Sequence, residues 1–159
     1  MKLLSIFVAS LLATFTSAQL SGPVGPTTDL ASKQGKKTCD ITSYGAKSGS
    51  DVGPALLAAW KACKAGGVVV VPSGTWTIST WVLLNGGSGW ALQLDGTITR
   101  DPSATAGGNM IFIEHTSDVE VFSSTGAGAI LGNGYEMHKS GSISGPRLLR
   151  FYDVVSCVP

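Results

Sequence analysis

Along the chain, apolar residues come in short runs separated by Gly, Asn, Asp and Ser. Residues 68–71, four consecutive valines, read as a strand that ends at the turn Pro72-Ser73-Gly74. Residues 76–84, 90–98, 110–113, 119–122, 129–131 and 148–155 read as further strands. In Val119-Glu120-Val121, both valines share one face and Glu120 points the other way. Residues 39–44 read as a short strand. Only 51–65 shows helical spacing, with Ala55, Leu56, Ala59, Trp60 and Cys63 on one face. Ser50 or Asp51 can cap that helix, Pro54 suits its first turn, and Gly66 can end it. Residues 19–38, with Pro23 and Pro26, read as an extended lead-in. Two architectures suit so many short strands. A β-sandwich would use Asn85-Gly86 and Asn133-Gly134 as hairpin turns. A solenoid would stack coils of similar length. The pattern leaves both open.

Composition narrows the class. Only 13% of the 159 residues are charged, 43% are hydrophobic and 21 are glycine. Long soluble helices need charged outer faces, which argues against a helical bundle or coiled coil. The formal net charge is +1, and one of the 11 basic residues is Lys2. Without it, bases and the 10 acids balance, which argues against nucleic acid or an anionic membrane as partner.

Residues 1–18 read as a signal peptide. Lys2 forms the positive n-region, an apolar stretch follows, and Thr16 and Ala18 are the small residues before the cleavage site. The run is shorter than the ~20 residues of a membrane span. The mature chain is thus expected to be secreted from near Gln19. In an oxidising compartment the three cysteines favour a bridge, and Cys39 with Cys63 is the expected pair, leaving Cys157 over. The close cysteine pairs of a zinc site are absent.

The stretch ITSYGAKSGSDVGPALLAAWKACKAGGVVVVPSGTW resembles the N-terminal part of pectin-degrading right-handed parallel β-helix enzymes. Its components are Tyr44-Gly45-Ala46, the helix from Asp51, the valine strand, and Pro72-Ser73-Gly74-Thr75-Trp76. An amphipathic helix there can cover the open apolar end of a first coil. The later order of LDG, FSSTGAG, GNGY and LLRFYDV is similar to the fungal rhamnogalacturonase branch of glycoside hydrolase family 28. The resemblance covers about residues 39–155, and implies an all-β, right-handed parallel β-helix with an N-terminal capping helix. Residues 156–159 form a divergent tail, so the chain is expected to be C-terminally truncated, with an open and poorly soluble end. At roughly 25 residues per coil, 68–155 makes three to four coils.

The resemblance also implies chemistry: inverting hydrolysis of rhamnogalacturonan by aspartates in middle coils, without metal or organic cofactor. The pectic polysaccharide would be the partner, and the protein a monomer. No Asn-Thr-Asp, Asp-Asp or Gly-His-Gly motif occurs here, so no catalytic, cofactor or metal residue is carried over. A truncated non-catalytic protein with at most weak pectin binding is the alternative. A polygalacturonase or a pectic lyase on the same scaffold is another, but the acid cluster a lyase would use for calcium is missing. Other polar residues have structural readings. Asp118 and Glu120 read as solvent-facing acids about 7 Å apart on a strand, although that spacing also suits an inverting pair. Asp95 reads as a turn residue, Glu114 and His115 as a strand-end pair, and His138 as part of a loop. Arg147 and Arg150 read as surface residues that could otherwise hold a uronate carboxylate. Trp76, Trp81 and Trp90 read as packing residues rather than sugar-stacking platforms.

Overall fold

A computed structural model describes residues 25–141 and 145–158. The expected signal peptide lies outside the described residues. Helix α1 (Leu30–Lys36) leads into β1 (Thr38–Asp40) and a 3-10 turn, Ile41–Tyr44. Helix α2 (Gly53–Cys63) precedes β2 (Val68–Val71), β3 (Thr75–Ile78), β4 (Val82–Asn85), β5 (Ala91–Leu94) and β6 (Thr97–Arg100). The long β7 (Asn109–Phe122), β8 (Ala129–Leu131), α3 (Gly134–Lys139) and β9 (Arg147–Val158) complete the order.

The strands form two parallel sheets. One runs β1-β2-β5-β7-β4, with β9 also paired to β7, and the other runs β3-β6-β8. Each pass of the chain lays a strand beside its counterpart from the previous pass. Val68 pairs with Ala91, and Ala91 with Glu120. Thr75 pairs with Thr97, and Thr97 with Ala129. Val82 pairs with Ile111, and Ile111 with Leu149. Hence the hairpin reading of Asn85-Gly86 and Asn133-Gly134 fails. Every pairing between the described strands is parallel. Asn133-Gly134 instead opens α3.

Inward side chains from successive passes build the core. Val69, Val71, Ile78, Leu84, Leu92, Ile98, Ile111 and Ile113 are fully buried. Each such side chain contributes about 1.5–3 kcal/mol by leaving water. The expected face of α2 closes this core, with Ala55, Leu56, Ala59, Trp60 and Cys63 all buried. Trp60 meets Trp90 edge-on at 6.1 Å between ring centroids. The Cys39–Cys63 disulfide ties α2 to β1. Asp51 lies just before the helix and accepts from Gly53 N–H, and also from Ser79 and Thr80 N–H of the next turn.

Several elements differ from the sequence reading. Residues 30–36 are helical rather than extended, because Asp29 accepts from Ser32 N–H and Lys33 is anchored by distant acids. The strand expected over 39–44 stops at Asp40, whose carboxylate accepts from Thr42 N–H and turns the chain. The runs 76–84 and 90–98 each divide into two strands of different sheets. Conversely, 110–113 and 119–122 belong to one strand, bent at His115 (φ 49°) and Asp118 (φ 56°). Strand β9 continues past residue 155, and backbone pairing reaches Glu120↔Val158.

The bends align across passes. Gly86, His115 and Asp153 occupy equivalent register positions, and all three have left-handed backbone. Three residues on, Gly89, Asp118 and Ser156 repeat the alignment. Such φ values are uncommon outside glycine, and Asp is among the residues that tolerate them. Two columns of corners therefore run through three successive passes.

Candidate functional site

Asp118 is not solvent-facing. The left-handed corner turns its carboxylate toward the N-terminal segment, leaving the residue 6% exposed. It accepts from the backbone N–H groups of Thr27 (2.7 Å) and Thr28 (3.1 Å). The fully buried Lys33 ammonium lies 3.5 Å from Asp118 Oδ1 and 3.3 Å from Glu120 Oε2. It also donates to the Asp118 carbonyl at 3.2 Å. Burial pushes the Asp118 carboxyl up, but the Thr28 hydrogen bonds, the Lys33 charge and Thr27 N–H outweigh it, so the net shift is downward. The two acids thus share one ammonium and bracket α1 against β7. The alternation that suggested two solvent-facing carboxylates is broken by the corner at Asp118 itself.

Asp95 does more than occupy a turn. It accepts from Gln93 Nε2 (2.6 Å), Ser124 N–H (2.6 Å), Ser124 Oγ (2.7 Å), Ser123 Oγ (3.1 Å) and Thr125 N–H (3.3 Å). The Gln93 bond first, and the Ser124 and Ser123 bonds next, hold its carboxyl far below the usual range against the opposing effect of burial. Such a carboxylate stays ionised and cannot serve as a general acid near neutrality. It fixes the turn at 123–128 of the following pass.

Glu114 and His115 find separate partners. Asn85 Nδ2 donates to Glu114 Oε1 at 2.6 Å. His115 Nδ1 lies 2.8 Å from Asp153 Oδ2, and its ring meets Tyr152 edge-on at 5.7 Å. This exposed pair links two corners of one column. His138 lies in the short helix α3 rather than a loop, and is exposed. Arg147 is exposed, while the Arg150 guanidinium sits 5.0 Å over the Phe112 ring and 5.8 Å from that of Tyr152.

The tryptophans pack. Trp76 is buried and donates to the Pro72 carbonyl (2.8 Å). Trp90 is fully buried and donates to Thr116 Oγ1 (2.9 Å). Trp81 is half-buried and donates to the Ala106 and Gly107 carbonyls.

Arg100, like Lys33, is a buried polar residue that sequence reasoning missed. It ends β6 and lies in a cleft of about 660 Å3 with Pro102, Gly107, Asn133, Glu136 and Met137. The available signal was parity, since Arg100 shares the inward face of β6 with buried Ile98. Asn133, left-handed at φ 52°, donates to the Arg100 carbonyl at 2.7 Å. Among the described residues, no group of three His, Cys, Asp or Glu is placed to hold a metal ion. Among the described residues, no helix is long and apolar enough to cross a membrane.

No family model matches the chain. It is similar to a probable rhamnogalacturonase B of Aspergillus oryzae, 56% identical over 154 residues that make up 95% of this chain and 29% of the relative. Rhamnogalacturonase A of Emericella nidulans is 54% identical over 153 residues, 95% of this chain and 29% of the relative. Rhamnogalacturonase B of Aspergillus niger is 52% identical over 155 residues, 96% and 27% respectively. The chain thus aligns with part of each of these rhamnogalacturonases, spanning less than a third of the length of the curated relatives.

Proposed function

We propose that these residues are the N-terminal portion of a secreted rhamnogalacturonan hydrolase of glycoside hydrolase family 28. The observation that carries the reading is 56% identity to a probable rhamnogalacturonase B over 95% of this chain. The parallel sheets with strand-for-strand stacking support a right-handed parallel β-helix, and the burial of α2 against their core supports its reading as the cap. The Cys39–Cys63 bridge suits an oxidising, extracellular compartment.

On this reading, hydrolysis proceeds with inversion. One carboxylic acid protonates the leaving oxygen while a carboxylate activates water from the opposite face. The aspartates that do so lie outside these 159 residues. In support, Asp95 is consumed by hydrogen bonds to the turn of the following pass, and Asp118 by hydrogen bonds to the N-terminal segment. Glu120 is drawn into the Lys33 ion pair.

The test is a reducing-end assay on rhamnogalacturonan with two proteins. One is this chain alone. The other is this chain continued by the rest of the Aspergillus oryzae relative. Activity in the continued protein only is the expected result. Hydrolysis by the chain alone would refute the placement of the catalytic groups. Inactivity of a folded continued protein on rhamnogalacturonan would refute the substrate assignment. Release of an unsaturated, ultraviolet-absorbing product would mark a lyase instead.

A further inference from the structure

Arg100 combines features that a packing role leaves unexplained. It is 5% exposed, and its Nε is buried without a hydrogen-bond partner. One Nη donates to the Ala104 carbonyl. Among the described residues, no carboxylate forms an ion pair with it. Asp101, next in the chain, is engaged by Ser103 N–H (2.8 Å) and Ser103 Oγ (2.6 Å). Glu136 also lines the cleft but is exposed, and it forms no ion pair with the guanidinium.

The Asp101 charge is near enough to be felt, but a buried guanidinium that no carboxylate contacts leaves its donors electrostatically incomplete. Its planar fork of donors matches a carboxylate better than any other group common in biopolymers except phosphate. The cleft is large enough for a sugar residue, with Pro102, Ala106 and Met137 as apolar lining. The lining mixes polar groups such as Asn133 and Ser140 with these apolar ones, which suits the hydroxyls and ring faces of a sugar.

We propose that the Arg100 cleft is a carbohydrate subsite in which the guanidinium takes the carboxylate of a uronic acid residue. The site rests on the rhamnogalacturonan reading for its ligand, because alternate sugars of that polymer carry such a carboxylate. It contributes binding, not bond cleavage.

Isothermal titration of this chain with a rhamnogalacturonan oligosaccharide tests the proposal. The comparison ligand is the same oligosaccharide with its carboxyls reduced to alcohols. Arg100→Lys keeps the charge but loses the fork, and is expected to weaken binding about tenfold. The reduced oligosaccharide should lose at least as much. Gly107→Phe fills the cleft without disturbing the core, since a Cβ at Gly107 meets nothing within 4 Å. It should abolish binding while the circular dichroism and unfolding midpoint stay as in the parent. Equal binding of the reduced ligand would overturn the proposal, as would unchanged affinity in a folded Gly107→Phe protein or no binding by the parent chain. The enzymatic reading fails separately. Carboxylate-dependent binding by a continued protein that does not hydrolyse would remove the activity and leave this site standing. Hydrolysis with an affinity insensitive to Arg100→Lys would do the opposite.

Discussion

Lys33 offers a quantitative test of how the N-terminal segment is held. Its buried ammonium lies 3.3 Å and 3.5 Å from two carboxylates. At an effective dielectric constant of about 20, each attraction has a gross value of roughly 5 kcal/mol, much of it offset by desolvation of the ions. Lys33→Met removes the cation and leaves two carboxylates facing an apolar side chain. Glu120 is half-buried and can turn toward water, whereas Asp118 keeps its bonds from Thr27 and Thr28. Asp118→Asn retains a residue that tolerates the left-handed corner, but leaves Lys33 with Glu120 alone. Each single change is expected to cost about 3 kcal/mol, the lower end of the range for breaking a buried pair. The double variant should cost less than the sum by about 2 kcal/mol, because the second change removes a charge already orphaned by the first. Urea unfolding of the four proteins at neutral pH, followed by tryptophan fluorescence, measures the cycle. Costs that add within about 0.5 kcal/mol would refute the claim that the two residues stabilise one another. Limited proteolysis near residues 25–36 reads the same loss locally.

Acidification should weaken the fold through the same carboxylates. Asp118 and Asp95 are both held below their ordinary values in the folded chain, so each contributes stability that is complete above the unfolded carboxylate range. That stability declines as pH falls below about 4 and through the folded values, so urea midpoints should be flat from pH 7 to about 5 and drop below that; a midpoint rising on acidification would contradict it. Cys39→Ser with Cys63→Ser should cost about 3 kcal/mol, because the bridge closes a loop with a sequence separation of 24; thermal unfolding of the oxidised parent and the variant checks it. Gly128→Ala should cost about 2–4 kcal/mol, because a Cβ there would overlap the Leu94 carbonyl; a midpoint matching the parent would show that the two passes separate easily.

What could be read from the sequence was whatever a short window determines. Four consecutive valines identify a buried strand, and the spacing of Leu56, Ala59, Trp60 and Cys63 identifies the buried face of a helix. The Cys39–Cys63 pair was also legible, because three cysteines leave few choices. What escaped was set by partners far away in sequence. Residues 30–36 carry little helical pattern, and the helix is held by acids 85–87 positions further on. His115 and Asp118 look like ordinary strand residues, yet the pass beneath them dictates a corner at each. The run 76–84 seemed continuous because its break at 79–81 depends on Asp51, which accepts from Ser79 and Thr80. Arg100 was passed over because its significance lies in lacking a partner, which a sequence does not record.

The two aligned columns of left-handed corners restrict where the chain can change its length. Between Gly86 and Gly89, His115 and Asp118, and Asp153 and Ser156, the spacing is the same, so an insertion there would throw the backbone ladder out of step. The other links are free of that constraint. The link from β5 to β6 is only Asp95-Gly96, whereas that from β7 to β8 spans 123–128. The link after β6 spans 101–108, and the one after β8 spans 132–146. Variation among homologous chains should therefore accumulate on the edge that carries the Arg100 cleft. The two columns of corners act as a fixed spine, and the loops after β6 and β8 can be rebuilt without disturbing it.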